Sequence, residues 1–145
     1  MDSAVRPRRE ELAHGRLRDE TATADHDELA QGYAAAAQHD REMGRAGYFE
    51  HESHDGTAFW KRVGSFYGSS GYGYWSVGEN LLWSSPEVDA AGALDLWMHS
   101  PEHRANILTP RWREIGVSAQ HFAAAPGAYK GLEVTIITTD FGVRR

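Results

Sequence analysis

The sequence predicts an α+β domain, a small sheet carrying helices on both faces. Three observations point there. Residues from about His26 to Ala46 place apolar side chains at helical spacing. Two Ser-Pro-Glu runs, at 85–87 and 100–102, mark helix starts. The stretches richest in Val, Ile, Thr and Phe come late, at Glu114–Phe122 and Leu132–Phe141, with one extended segment, Trp75–Leu82, before them. Helices first and strands late fit a sheet sandwiched by helices better than an alternating parallel fold. The 145 residues suffice for one such domain.

Taken in order, residues 1–24 are a charged N-terminal tail with room for a short helix at Glu10–Glu20, and the domain proper spans 25–145. In the first long helix Leu29, Tyr33, Ala36, Ala37 and Met43 share a face, Asp25 can cap the start and Gly47 can end it. Asp40 projects onto the middle of that face with His39 at its edge. A carboxylate so placed needs a partner, because burying an unpaired charge is costly. Gly56–Gly68 reads as a shorter helix with Phe59, Val63 and Phe66 on one side and Trp60 beside them. The Gly- and Ser-rich run 68–73 is loop. In each Ser-Pro-Glu run Ser can cap, Pro suits the first helical position and Glu favours the positive end of the dipole, giving helices at about 86–98 and 101–107. Pro126-Gly127 separates the two late strands.

Composition narrows the function. With 41% hydrophobic and 25% charged residues the chain is ordinary for a folded soluble protein, which sets disorder aside. A net charge of -6 argues against a nucleic-acid binder, since that affinity rests on clustered Lys and Arg. The absence of cysteine rules out disulfides and thiolate chemistry. No apolar run approaches the ~20 residues needed to cross a bilayer, and Met1 is followed by a polar run rather than a signal core.

Chemistry gathers in three short runs: Gly47-Tyr48-Phe49-Glu50-His51, Gly78-Glu79-Asn80 and Ser100-Pro101-Glu102-His103-Arg104-Ala105-Asn106. Residues dispersed in sequence but able to converge are how metal and acid–base sites are built. His51 lies in a polar run with His54 and Asp55, where a lone histidine is commonly a plain surface residue. If Pro101 is the first helical residue, His103 is the third. The helix dipole there disfavours imidazolium and keeps a lone pair for a metal or a proton; the bland alternative is that His103 only caps or packs. Glu79 sits in an otherwise apolar segment and must face a cleft, pair, or point to solvent. Asn80, Arg104 and Asn106 read as scaffold, Arg104 pairing Asp40 or Asp140 and Asn106 satisfying loop backbone. Tyr72, Tyr74 and Trp75 can wall a groove or fill core.

Together with Trp97-Met98-His99 before the second run of histidine chemistry, Glu114-Ile115-Gly116-Val117 and Asp140-Phe141-Gly142, these motifs resemble, in order, the CAP (SCP) domain in its bacterial form over roughly residues 27–142. The resemblance implies a three-layer α-β-α sandwich with a small, mostly antiparallel sheet and a surface cleft. It implies His51 and His103 as metal residues for a weakly bound zinc, and Glu79 as the cleft acid. Ser100 stands where animal and plant members carry a second acid, and a cap is expected there. The cleft lining expected here is Ser100, Asn80, His39, Tyr72, Tyr74 and Trp75. The aromatic residues suit a small ligand (lipid, glycan or peptide), a monomer is the favoured state, and the resemblance implies an extracellular or cell-envelope site. Two His ligands leave open positions on zinc, so the competing reading is a weak zinc-dependent hydrolase with Glu79 as general base.

Overall fold

The computed structural model describes residues 26–145, with side chains from residue 31 onward. The expected tail, its helix at Glu10–Glu20 and the Asp25 cap lie outside the described residues. The elements are α1 (His26–Ala46), α2 (Phe59–Phe66), β1 (Trp75–Ser84), α3 (Ala90–Met98), α4 (Pro101–Leu108), β2 (Glu114–Ala125), a 3-10 turn (Gly127–Tyr129) and β3 (Leu132–Arg144). The strands form one antiparallel sheet in the order β1-β3-β2.

Strand alternation sorts the molecule into three layers, because successive side chains point to opposite faces. Leu81 packs with Met43 of α1, Val134 and Ile136. Its neighbour Leu82 packs with Ala93, Leu94 and Trp97 of α3 and with Ile137. A third cluster joins Ala35 of α1 to Val63 and Tyr67 at α2, with Phe59, Phe66 and Trp75 against it. So α1 and α2 cover one face, α3 and α4 the other. This is the α-β-α sandwich the sequence predicts, and its sheet is wholly antiparallel.

Several boundaries move, each for a local reason. The third helix begins at Ala90 rather than near Pro86: Asp89 is in extended conformation and its side chain accepts from the Gly92 amide at 2.7 Å. The second helix is shorter than Gly56–Gly68, because Gly56 has φ +87°, outside the right-handed helix. Tyr33, placed on the apolar face by spacing, is 52% exposed, while Ala35, Ala36, Ala37 and Met43 fill the interface. Small residues there let α1 lie close on the sheet. At the crossing with β2 a Cβ on Gly116 would stand 2.1 Å from the Gly32 carbonyl carbon. The contact is backbone on backbone.

Candidate functional site

Asp40 is wholly buried, as its place on the helix face predicts, and accepts from Thr138 Oγ1 on β3 at 2.5 Å. Burial pushes its carboxyl well above the ordinary carboxylate range, and nearby Asp140 adds to the effect. Burial therefore favours the neutral form of the group, the form a carboxyl takes most readily in an apolar layer. Arg104, expected to pair Asp40 or Asp140, is exposed on α4 instead. The cation near Asp140 is Arg62, at 3.8 Å.

Arg62 is the residue sequence reading overlooked. It is 4% exposed, although it lies in a stretch whose apolar face was assigned to Phe59, Val63 and Phe66. It stands three residues after Phe59 and four before Phe66, so helical spacing puts it on that same face. The rule that made Asp40 conspicuous would have found it. Its guanidinium donates to the His51 carbonyl at 2.9 Å and to Glu79 Oε2. The register sets Glu79 opposite Asp140 across β1 and β3, so both acids and Arg62 occupy one face of the sheet.

Glu79 and His51 do meet. Glu79 Oε1 lies 3.0 Å from His51 Nδ1. A carboxylate only accepts, so Nδ1 carries a proton, and the neutral tautomer that fits this contact has its lone pair on Nε2. The Glu79 side chain is fully buried, whereas that of His51 is 40% exposed. Buried His39, 3.9 Å from Glu79 Oε1, donates through Nε2 to the Glu50 carbonyl at 2.7 Å. Burial, the Arg62 charge and the nearby His51 lower its pKa to about 3, outweighing the Glu50 bond, so His39 is neutral. Three buried side chains thus hold the 50–51 segment from beneath: His39 through Glu50, Arg62 through the His51 backbone, Glu79 through the His51 ring.

His103 is the third residue of α4, counted from Pro101 as the sequence predicts, and is 6% exposed. Its Nδ1 lies 2.7 Å from Ser100 Oγ. Ser100 occupies the cap position but makes no side-chain bond to a helix amide; its hydroxyl serves the His103 ring instead. Asn80 donates to the His103 carbonyl at 3.0 Å, and Asn106 donates to Asn80 Oδ1 at 2.9 Å and to the Glu79 carbonyl at 3.2 Å. Both asparagines therefore tie α4 to edge strand β1. Among the described residues no group of three or more His, Cys, Asp or Glu is arranged to hold a metal ion.

The expected cleft lining divides. His39 and Asn80 are 0% exposed, so they sit inside the protein rather than on a wall. Trp75 packs against the α1–α2 cluster and its indole donates to the Tyr67 carbonyl at 2.9 Å. Tyr72 and Tyr74 are exposed, but the guanidinium groups of Arg144 and Arg145 lie over their rings at 4.9 and 5.0 Å. A cleft of about 490 Å³ opens elsewhere, between Gln38 and Glu42 on α1 and Lys61, Arg62 and Ser65 on α2.

Against known proteins, residues 28–129 match the sequence model of CAP, the cysteine-rich secretory protein family. No curated protein matches the chain at a significant level. Among solved structures, an extracellular protein containing an SCP domain from Bacillus anthracis is similar, with 26% identity, a TM-score of 0.56, and coverage of 79% of this chain and 32% of that one. The chain thus spans about a third of that protein. An outer surface protein from Borrelia burgdorferi shares the fold at 14% identity and a TM-score of 0.62, each chain covered over 100% of its length.

Proposed function

The chain belongs to the CAP family, the cysteine-rich secretory proteins, and from that premise we propose that it is a ligand-binding module whose His51 surface also takes a divalent cation such as zinc. One observation carries the cation reading. An exposed imidazole is oriented by a buried carboxylate, the arrangement in which a second-shell group fixes the tautomer of a ligating histidine. His51 and His103 would hold the ion through their imidazoles, with water completing the shell, and a bound ion would supply Lewis acidity. Such a two-histidine set makes a weak site, and its affinity falls as pH drops and the rings protonate.

The same geometry disfavours the hydrolase reading. A general base must reach water, and the Glu79 carboxylate is buried with one oxygen on Arg62 and the other on His51. Glu79 is better suited to position His51. The resemblance to extracellular and outer-surface proteins supports a place outside the cytoplasm. No helix among the described residues is long and apolar enough to cross a membrane.

Zinc calorimetry at neutral pH checks this. Weak binding is expected in the wild type and none in His51→Ala or His103→Ala. Glu79→Gln should weaken zinc by about 10–100-fold, as loss of an outer-shell partner does. Full zinc affinity in Glu79→Gln together with abolished turnover on an ester or peptide would favour the hydrolase. Absence of zinc binding in the wild type would end the cation reading.

A further inference from the structure

The polar cleft between α1 and α2 is lined by none of the motif residues. Its two walls differ in charge. Gln38 and Glu42 lie one helical turn apart on α1, and Lys61 stands on α2 with Arg62 behind it, while His54 and Asp55 border it from the connecting loop. The acidic side is built rather than incidental. Glu42 Oε1 accepts from the His54 amide at 2.6 Å, and the His54 ring stacks on Tyr48 with centroids 5.3 Å apart. Asp55 accepts from the Thr57 amide at 2.9 Å, and bonds to Thr57 hold its carboxyl below the usual range, so it is ionised. On the basic side the exposed charge is that of Lys61, while Arg62, 4% exposed, closes the floor with its guanidinium held by Glu79 and the His51 carbonyl. At about 490 Å³ the space falls within the ~300–1,000 Å³ of small-molecule sites.

We propose that this cleft binds a small zwitterion of the amino-acid or short-peptide class, its ammonium toward Glu42 and Asp55 and its carboxylate toward Lys61. A ligand of one sign would be attracted by one wall and repelled by the other, whereas a molecule with both charges satisfies the two at once. Every residue that lines the cleft carries a polar or charged side chain, which suits such a molecule better than a lipid tail. The site does not depend on the cation reading of His51 and His103.

Triglycine is the probe, compared by calorimetry or amide NMR with acetyl-triglycine, which lacks the ammonium, and triglycinamide, which lacks the carboxylate. Triglycine should bind and each blocked analogue should bind about tenfold or more weakly, the effect of losing one charge-assisted contact. Lys61 is exposed, so Lys61→Ala should fold normally. It should weaken triglycine while leaving triglycinamide unchanged; Glu42→Gln should do the converse with acetyl-triglycine. His103→Ala should leave triglycine affinity intact, which separates this site from the cation reading. Equal affinity for all three peptides, no binding of triglycine, or indifference to Lys61→Ala would each overturn the proposal.

Discussion

A single hydrogen atom at residue 116 decides how close α1 comes to the sheet. Adding a methyl to Gly116 drives it into the Gly32 backbone, which has no side-chain freedom with which to yield. Gly116→Ala should therefore cost about 3 kcal/mol, the upper part of the usual overpacking range, read as a lowered urea midpoint with unchanged slope. Gly116 pairs directly with Asp140 of β3, so the same shift would loosen the floor beneath Arg62. The glycine was visible in the sequence as part of a motif, but its partner was not, because Gly32 comes 84 residues earlier in a helix with no local signal of approach. Arg62 is a different case. Its position on an apolar helix face was readable, and only its acceptors, drawn from β1 and the 51 segment, required the folded chain.

Helix starts show how far local chemistry reaches. Ser85-Pro86-Glu87 and Ser100-Pro101-Glu102 look alike, yet only the second opens a helix, at Pro101. The first is superseded by Asp89, an acceptor three residues before the Gly92 amide it binds. Asp89→Ala should destabilise the protein by about 1 kcal/mol in urea unfolding, the ordinary cost of a lost cap. Ser85→Ala should leave the midpoint unchanged. Among the described residues, strand and helix identities were legible because periodicity is a local property. The Ser100 hydroxyl was not, since its choice between a helix amide and the His103 ring depends on how the ring is turned. His51 and Glu79 meeting likewise depends on the folded chain, which sets a loop residue against a β1 residue 28 positions later.

For the whole molecule, the buried acids set a pH dependence with a definite sign. Burial raises the Asp140 pKa from the ordinary 3.8 to about 7, against the opposing pull of Arg62. An acid whose folded pKa is raised binds its proton more tightly when folded, so its stabilising effect is complete below the unfolded value and is lost as pH climbs through the folded one. Asp140→Asn removes this contribution. Between pH 4 and 7 the stability of the wild type should fall relative to Asp140→Asn, measured as the difference of two urea titrations. Parallel profiles would show that Asp140 stays ionised beside Arg62. His39 works the other way, its lowered pKa withdrawing stability as pH falls below about 6.5 toward 3, which is why the comparison uses a variant rather than the raw curve.

The strand order carries a consequence for how the protein is made. β3 is the last element in sequence and the middle one in the sheet; β1 and β2 bond to it and not to each other. Synthesis delivers the chain from its N-terminus at ~5–20 residues per second. The two outer strands must then wait at the ribosome exit with their backbone groups unpaired until residues 132–144 emerge. Until then Glu79 lacks its cross-strand neighbour Asp140. The nascent polypeptide is a set of helices in search of a centre, and the sheet that carries Glu79 is completed only by the last strand.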